Sequence, residues 1–134
     1  MQKFETMIPV QPRDIDINGH VHHSIYLDYL LAARFDQMKR CYGISMEAFQ
    51  EMGFTWVART YTIEFRSGIM PGDTALVRTW IEQIGKVTVD VAFEIESVQH
   101  GSQAAHGSAR FVLIDTASGR PAKIPAEVIE KYSV

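Results

Sequence analysis

Between Ile25 and Ala33 the chain is apolar on nearly every side of a helix, with Ile25, Leu27, Tyr29, Leu30, Leu31, Ala32 and Ala33 interrupted mainly by Asp28. A helix that is apolar all round is expected to be buried all round. The rest of the chain therefore has to enclose this segment. Good helix formers without a proline run from Ser24, a suitable N-cap, to Gly43, a suitable residue for the left-handed position that ends a helix. Together they predict one helix of roughly 18 residues. Its second half gains Arg34, Asp36, Lys39 and Arg40, so this end is expected to emerge towards solvent. Ser45 can cap a short helix that runs through Met52 and is closed by Gly53.

After Phe54 the period changes to two. Val57, Arg59, Tyr61, Ile63 and Phe65 face one way, and Ala58, Thr60, Thr62 and Glu64 the other. Pro71-Gly72-Asp73 turns the chain into a strand over Thr74–Gln83, and Gly85-Lys86 turns it into another over Val87–Ser97. In that last strand Val87, Val89, Val91, Phe93 and Ile95 alternate with Thr88, Asp90, Glu94 and Glu96. Short turns between strands predict antiparallel neighbours. A further strand is expected from about Ala104 to Asp115, then a Ser118-Gly119 turn and a terminal helical turn from Pro125. Near the N-terminus Phe4, Thr6, Ile8 and Val10 alternate until Gln11-Pro12-Arg13 interrupts them, which reads as a short strand.

The order β-α-β-β-β-β defines an α+β chain, a five-stranded antiparallel sheet wrapped around one long central helix. At ~100–200 residues per domain, 134 residues make a single domain, and no repeat or linker divides 1-134. A sheet of this kind leaves an edge that has to be covered, charged or paired with a second copy, so a homodimer is expected. Lysine and arginine total 13 against 16 aspartates and glutamates, a net charge of −3 with no basic run to follow phosphates, which argues against nucleic acid as a partner. No stretch approaches the ~20 apolar residues of a membrane span, and the first residues lack an apolar signal core. A cytoplasmic location is the expectation. The single Cys41 cannot close a disulfide within the chain and reads as core packing.

Chemistry is concentrated where the polar loop meets the helix: Asp14, Asp16, Asn18, His20, His22, His23 and Ser24. The Asn18-Gly19 pair favours positive φ and hence a turn. In one reading, the free amides at about His23, Ser24 and Ile25, together with the positive end of the helix dipole, stabilise an oxyanion while Asp16 attacks or activates water. In a second, His20 and His22, two residues apart on extended backbone, hold Zn²⁺ with Asp14 or Asp16 as third ligand. In a third, these residues only shape the turn and cap the helix. A polar loop feeding a buried helix sets carboxylates beside an apolar slot, which suits an acyl group and favours the first reading.

The run from Asp14-Ile15-Asp16 through Gly19-His20-Val21-His22-His23 to Tyr26-Leu27-Asp28-Tyr29, closing with Ala33-Arg34, resembles the signature of hotdog-fold acyl-CoA thioesterases of the 4-hydroxybenzoyl-CoA thioesterase family. The likeness continues through Ile63-Glu64-Phe65, Pro71-Gly72-Asp73, Val77-Arg78-Thr79-Trp80 and Gly119-Arg120-Pro121, so it spans nearly the whole chain. It implies a hotdog fold with the long helix as its core. It also implies hydrolysis of an acyl-CoA thioester, or an acyl-carrier-protein thioester, without a metal or other cofactor, by a homodimer or a dimer-of-dimers tetramer. Asp16 matches the catalytic carboxylate, Asp14 the supporting one, and His23 the residue whose amide polarises the thioester carbonyl. Gly19, His20, His22, Ser24 and Tyr26 are the implied substrate-binding positions.

The sequence also departs from that pattern. His22-His23 stands where many relatives have asparagine, and Leu31 where another branch carries a glutamate base, which shifts the chemistry further onto Asp16. A dehydratase acting on β-hydroxyacyl thioesters and a non-catalytic acyl-thioester-binding module are the alternatives. Arg59, Arg66, Arg78, Lys86, Arg110 and Arg120 are candidates for CoA phosphates, unranked by sequence.

Overall fold

The computed structural model describes residues 1–134. Strands β1 (Phe4–Pro9), β2 (Phe54–Phe65), β3 (Thr74–Ile84), β4 (Thr88–Ser97) and β5 (Gln103–Asp115) form one sheet in the order β1-β3-β4-β5-β2, every pair antiparallel. Helix α1 (Ile25–Gln37) lies on one face of the sheet. Helices α2 (Met46–Glu51) and α3 (Ala126–Tyr132) meet at an aromatic cluster of Phe49, Trp56 and Tyr132. None of the helices is long and apolar enough to cross a membrane.

Period-two patterning gives the sheet its sidedness. Val89, Val91, Phe93 and Ile95 of β4 are buried, whereas Asp90, Glu94 and Glu96 on the other face keep contact with solvent. Tyr26, Tyr29, Leu30 and Ala33 of α1 pack into the same core as Val77, Val91, Ile95, Ala105 and Leu113. Burying each of the larger aliphatic side chains contributes roughly 1.5–3 kcal/mol. The predicted helix runs its expected course: beyond Gln37 the last turn widens to π spacing over Met38–Tyr42, and Gly43 ends it at φ +78°, a conformation that costs glycine little.

Sheet order overturns one expectation. Pro71-Gly72-Asp73 does turn the chain into β3, but β2 and β3 are not neighbours, because β2 pairs with β5 at one edge and β3 sits between β1 and β4. The segment 66–73 must therefore cross the end of the sheet. It is tied down on the way by the Val21 N–H donating to the Ile69 carbonyl at 2.9 Å. At the far end the buried Asp73 carboxylate accepts from the Thr74 N–H at 2.7 Å, the Gln99 N–H at 3.0 Å and the Ser97 hydroxyl. Burial pushes that carboxyl up, but the three hydrogen bonds outweigh it and hold Asp73 below the ordinary carboxylate value.

A bulge corrects the face assignment of β2. Ala58 pairs with Phe111 and Thr60 with Arg110, so Arg59 is an extra residue and the alternation flips there. Trp56 and Ala58 share the inner face with Tyr61 and Ile63, and Val57 is turned outwards.

The helix is not enclosed on all sides. Leu27 and Leu31 are only half-buried and Phe35 is 49% exposed, because this flank faces β2, the strand at which the sheet ends. Arg34, expected to emerge, is instead buried, whereas Lys39 and Arg40 do reach solvent.

Candidate active site

The loop between β1 and α1 folds around Asp16. Pro12–Asp14 forms a single 3₁₀ turn, and Ile15 and Val21 then pair as an isolated antiparallel bridge that closes a tight loop over residues 16–20. Within it the Asp16 N–H donates to the His20 carbonyl at 2.8 Å and the Gly19 N–H to the Asp16 carbonyl at 3.0 Å. Gly19 takes φ +79°, the turn conformation that the Asn18-Gly19 pair predicts. One carboxylate oxygen of Asp16, Oδ1, accepts from the Asn18 N–H at 2.8 Å and from the His20 N–H at 3.4 Å. Its other oxygen, Oδ2, receives no donor from the chain and is free to act.

Asp16 borders a cleft of about 320 Å³, lined also by His20, Val21, His23, Tyr26, Phe65, Arg66, Ser67 and Gly68. Tyr26 packs edge-on against Phe65 with ring centroids 5.3 Å apart, and His23 meets the same Phe65 ring at 6.2 Å. The His20 ring lies against Gly68, where a Cβ would stand 3.0 Å from its Cγ, so a side chain at residue 68 would require the ring to shift by a few tenths of an ångström. Burial raises the Tyr26 phenol above its ordinary value; the nearby Ile69 N–H draws it part of the way back, and the charge of Asp16 adds to the rise.

The entry to α1 leaves donors unpaired, as helix starts do. The His22 N–H donates to the Asp14 carbonyl at 2.8 Å, the Ser24 N–H to His22 Nδ1 at 3.2 Å and the Ile25 N–H to the His22 carbonyl at 2.9 Å. Between them, the His23 N–H finds no acceptor in the chain. Ser24 occupies the N-cap position, but its side chain does not cap the helix. Its backbone is already helical (φ −67°, ψ −24°), and its hydroxyl bonds His22 Nδ1 at 2.8 Å instead.

Of the residues singled out from sequence, Asp16, His20, His23 and Tyr26 meet in this cleft, while Asp14, Gly19, His22 and Ser24 do not line it. Asp14 is buried to one side, where its Oδ2 accepts from the Gln11 N–H at 2.9 Å and from the Tyr29 hydroxyl at 2.8 Å. Burial, first, and then the hydrogen bond to this carboxylate drive the Tyr29 phenol far above its ordinary value, so it remains a donor. The His22 ring stacks on His23 with centroids 4.4 Å apart. No three His, Cys, Asp or Glu side chains converge as a metal-ligand set.

Sequence reading missed Ser67 and Gly68 as site residues and did not rank Arg66. All three arrive on the segment crossing from β2 to β3, which period and turn chemistry do not reveal. The structure ranks the cations as well. Arg78 is spent on Glu5 and Glu94 at 2.6 and 3.0 Å, and Arg110 on Asp90 at 2.7 Å. At the cleft, Arg66 has only Glu64, at 4.0 Å and well exposed.

A family model described as the Thioesterase-like superfamily matches residues 10–132. The Synechocystis protein sll0410 is 26% identical over 129 residues, covering 96% of this chain and 77% of that protein. The acyl-CoA thioesterase YbgC of Haemophilus influenzae is 21% identical over 125 residues, 93% of this chain and 90% of that one. Among solved structures, a DHNA-CoA thioesterase from Staphylococcus aureus superposes with a TM-score of 0.92 at 21% identity, over 99% of this chain and 90% of the other. The fold is thus that of the hotdog thioesterases, and the site occupies the segment that carries the likeness. The chain belongs to the Thioesterase-like superfamily and is a hotdog-fold thioester hydrolase.

Proposed function

We propose that the chain hydrolyses an acyl-CoA thioester to a free carboxylic acid and CoA, with Asp16 as nucleophile or general base and the His23 N–H polarising the thioester carbonyl. The observation that carries this reading is the pairing of a free carboxylate oxygen, Asp16 Oδ2, with an unpaired amide, His23 N–H, at the mouth of one cleft beside a helix start. As a base, Asp16 Oδ2 takes a proton from water while the water oxygen attacks the carbonyl carbon. The developing oxyanion is met by the His23 N–H and the positive end of α1. Collapse breaks the C–S bond, and the leaving thiolate takes up the proton. As a nucleophile, the same oxygen forms an anhydride that water then opens. Arg66 at the lip is the cation placed to meet a CoA phosphate.

The active unit is proposed to be a homodimer, itself able to pair into a tetramer. The long edge strand β2 has no partner beyond β5, and Val57 and Phe65 on it are about half exposed. Pairing two β2 edges antiparallel would continue the sheet and set the cleft at Phe65 beside the partner. Light scattering at micromolar concentration tests this, and a particle with the mass of a single chain would contradict it. Thiol release over short, medium, long and aromatic acyl-CoAs, with acyl-carrier-protein thioesters alongside, tests the activity. Silence across the CoA panel with turnover of a carrier-protein thioester would replace the carrier, and silence across both would remove the proposal.

A further inference from the structure

Below the cleft, between α1 and β2, lies a second cavity of about 330 Å³ whose lining is apolar but for one charged residue. Leu31, Phe35 and Met38 come from the helix, Tyr61 and Ala58 from the strand, and Phe111 from β5. Tyr26 and Phe65 of the cleft are on the same helix and strand, so the two spaces lie along one seam between α1 and β2. Such a cavity would ordinarily take a plain hydrocarbon. Its polar atoms do not fit that occupant.

Arg34 is 5% exposed and has no carboxylate within ion-pair distance, so its charge is buried without a counter-ion. The Tyr42 ring lies 5.4 Å from the guanidinium and offers a π face but no anion. Arg34 Nη1, Trp56 Nε1 and the hydroxyl of Tyr132, itself 1% exposed, are buried side-chain polar atoms that complete no well-formed hydrogen bond, although the Trp56 N–H lies towards the Tyr132 oxygen and Arg34 towards the Tyr42 hydroxyl, and all three residues line this cavity. Burial pushes the Tyr132 phenol up to about 12, so it stays protonated and available to donate. A buried charge needs a partner. Three donors around one cavity, one of them cationic, ask for an oxyanion.

We infer that this cavity receives the far end of the acyl group and that this end carries a carboxylate, held by Arg34, Trp56 and Tyr132, which makes the preferred substrate the mono-thioester of a dicarboxylic acid. The inference rests on the thioesterase reading of the cleft above. Its length scale follows from the helix: Arg34 is nine residues beyond Ile25, about 13–14 Å at 1.5 Å per residue. At roughly 3.5 Å per three bonds of extended chain, about a dozen bonds span that distance. Hydrolysis adds water across the C–S bond, the carbonyl carbon taking the oxygen and the sulfur a proton, and leaves the far carboxylate unchanged.

The test compares kcat/KM for octanedioyl-, decanedioyl- and dodecanedioyl-CoA with that for octanoyl-, decanoyl- and dodecanoyl-CoA, in wild type and Arg34→Met. The expected result is a preference for at least one dioyl substrate of about tenfold or more over its length-matched partner, and collapse of that ratio in Arg34→Met. Wild type that prefers the plain acyl-CoAs, or an Arg34→Met variant that keeps the ratio, would overturn the inference while leaving thioester hydrolysis standing. Tyr132→Phe, which removes a single oxygen from the cavity wall, carries the same ratio test if Arg34→Met does not fold. If no thioester is cleaved, the hydrolase assignment falls first. Calorimetric titration of wild type and Tyr132→Phe with decanedioate then decides the cavity separately: binding weakened in the variant supports the inference, and no binding to wild type overturns it.

Discussion

The Tyr29 hydroxyl donates a hydrogen bond to Asp14 Oδ2 at 2.8 Å, joining the central helix to the turn that precedes the loop of Asp16. Both residues are buried, and the same carboxylate oxygen accepts the Gln11 N–H. Asp14 therefore acts as a strut for the loop, and its side chain lies outside the cleft that holds Asp16.

That geometry separates two aspartates that look equivalent in the sequence. Asp14→Ala leaves the Tyr29 hydroxyl buried and unpaired, and is expected to cost about 1–3 kcal/mol of stability. The midpoint of urea unfolding reads this directly. A midpoint equal to wild type would show that the strut carries no weight.

Asp73 predicts a pH dependence. Its folded value is depressed below the ordinary 3.8, so its contribution is present above that value and is lost as pH falls through the lower folded one. Asp73→Asn should be less stable than wild type by about 1–3 kcal/mol near neutrality, with the gap closing progressively below about pH 4. Denaturant midpoints for the two proteins across that range measure it. A gap independent of pH would contradict the assignment.

Gly107 faces Ile63 across the β2–β5 ladder, and a Cβ there would stand 1.8 Å from the Thr62 carbonyl oxygen. Backbone cannot yield as a side-chain tip can. Gly107→Ala is expected to exceed the roughly 1–3 kcal/mol of ordinary overpacking, and a melting temperature close to wild type would refute the close approach.

Arg66→Ala removes the one weakly engaged cation of the cleft. KM for a CoA thioester should rise about tenfold, equivalent to about 1.4 kcal/mol, with kcat little changed. The same variant assayed on an acyl thioester of a small uncharged thiol should show no such rise. Equal KM effects on both substrates would place Arg66 away from the phosphates.

How much of this was legible in the sequence depends on whether the cause was local. The helix to Gly43 and the strands after Phe54 follow from period and end signals, and the turn at Asn18-Gly19 follows from its residue types. The bulge at Arg59 is a single inserted residue that leaves composition and turn signals unchanged, so strict alternation assigns Val57 to the wrong face. Pro71-Gly72-Asp73 has the same turn chemistry whether or not the strands beside it pair, so the crossing that delivers Arg66, Ser67 and Gly68 was invisible. Asp14 and Asp16 resemble two residues on one face of extended chain, but the 3₁₀ turn over Pro12–Asp14 aims the first elsewhere. Arg34, being charged, reads from sequence as exposed. The aromatic rings around it, Tyr42 and Tyr132, include one from the far end of the chain.

The proposed hydrolysis turns on the carboxylate of Asp16, and Asp16→Asn removes its charge while keeping its shape. Thiol release from the best acyl-CoA of the panel, measured for wild type and Asp16→Asn side by side, tests that claim most directly. The predicted result is a loss of about a hundredfold or more in kcat, with the fold intact by circular dichroism. An Asp16→Asn enzyme that turns over at a rate near wild type would contradict it.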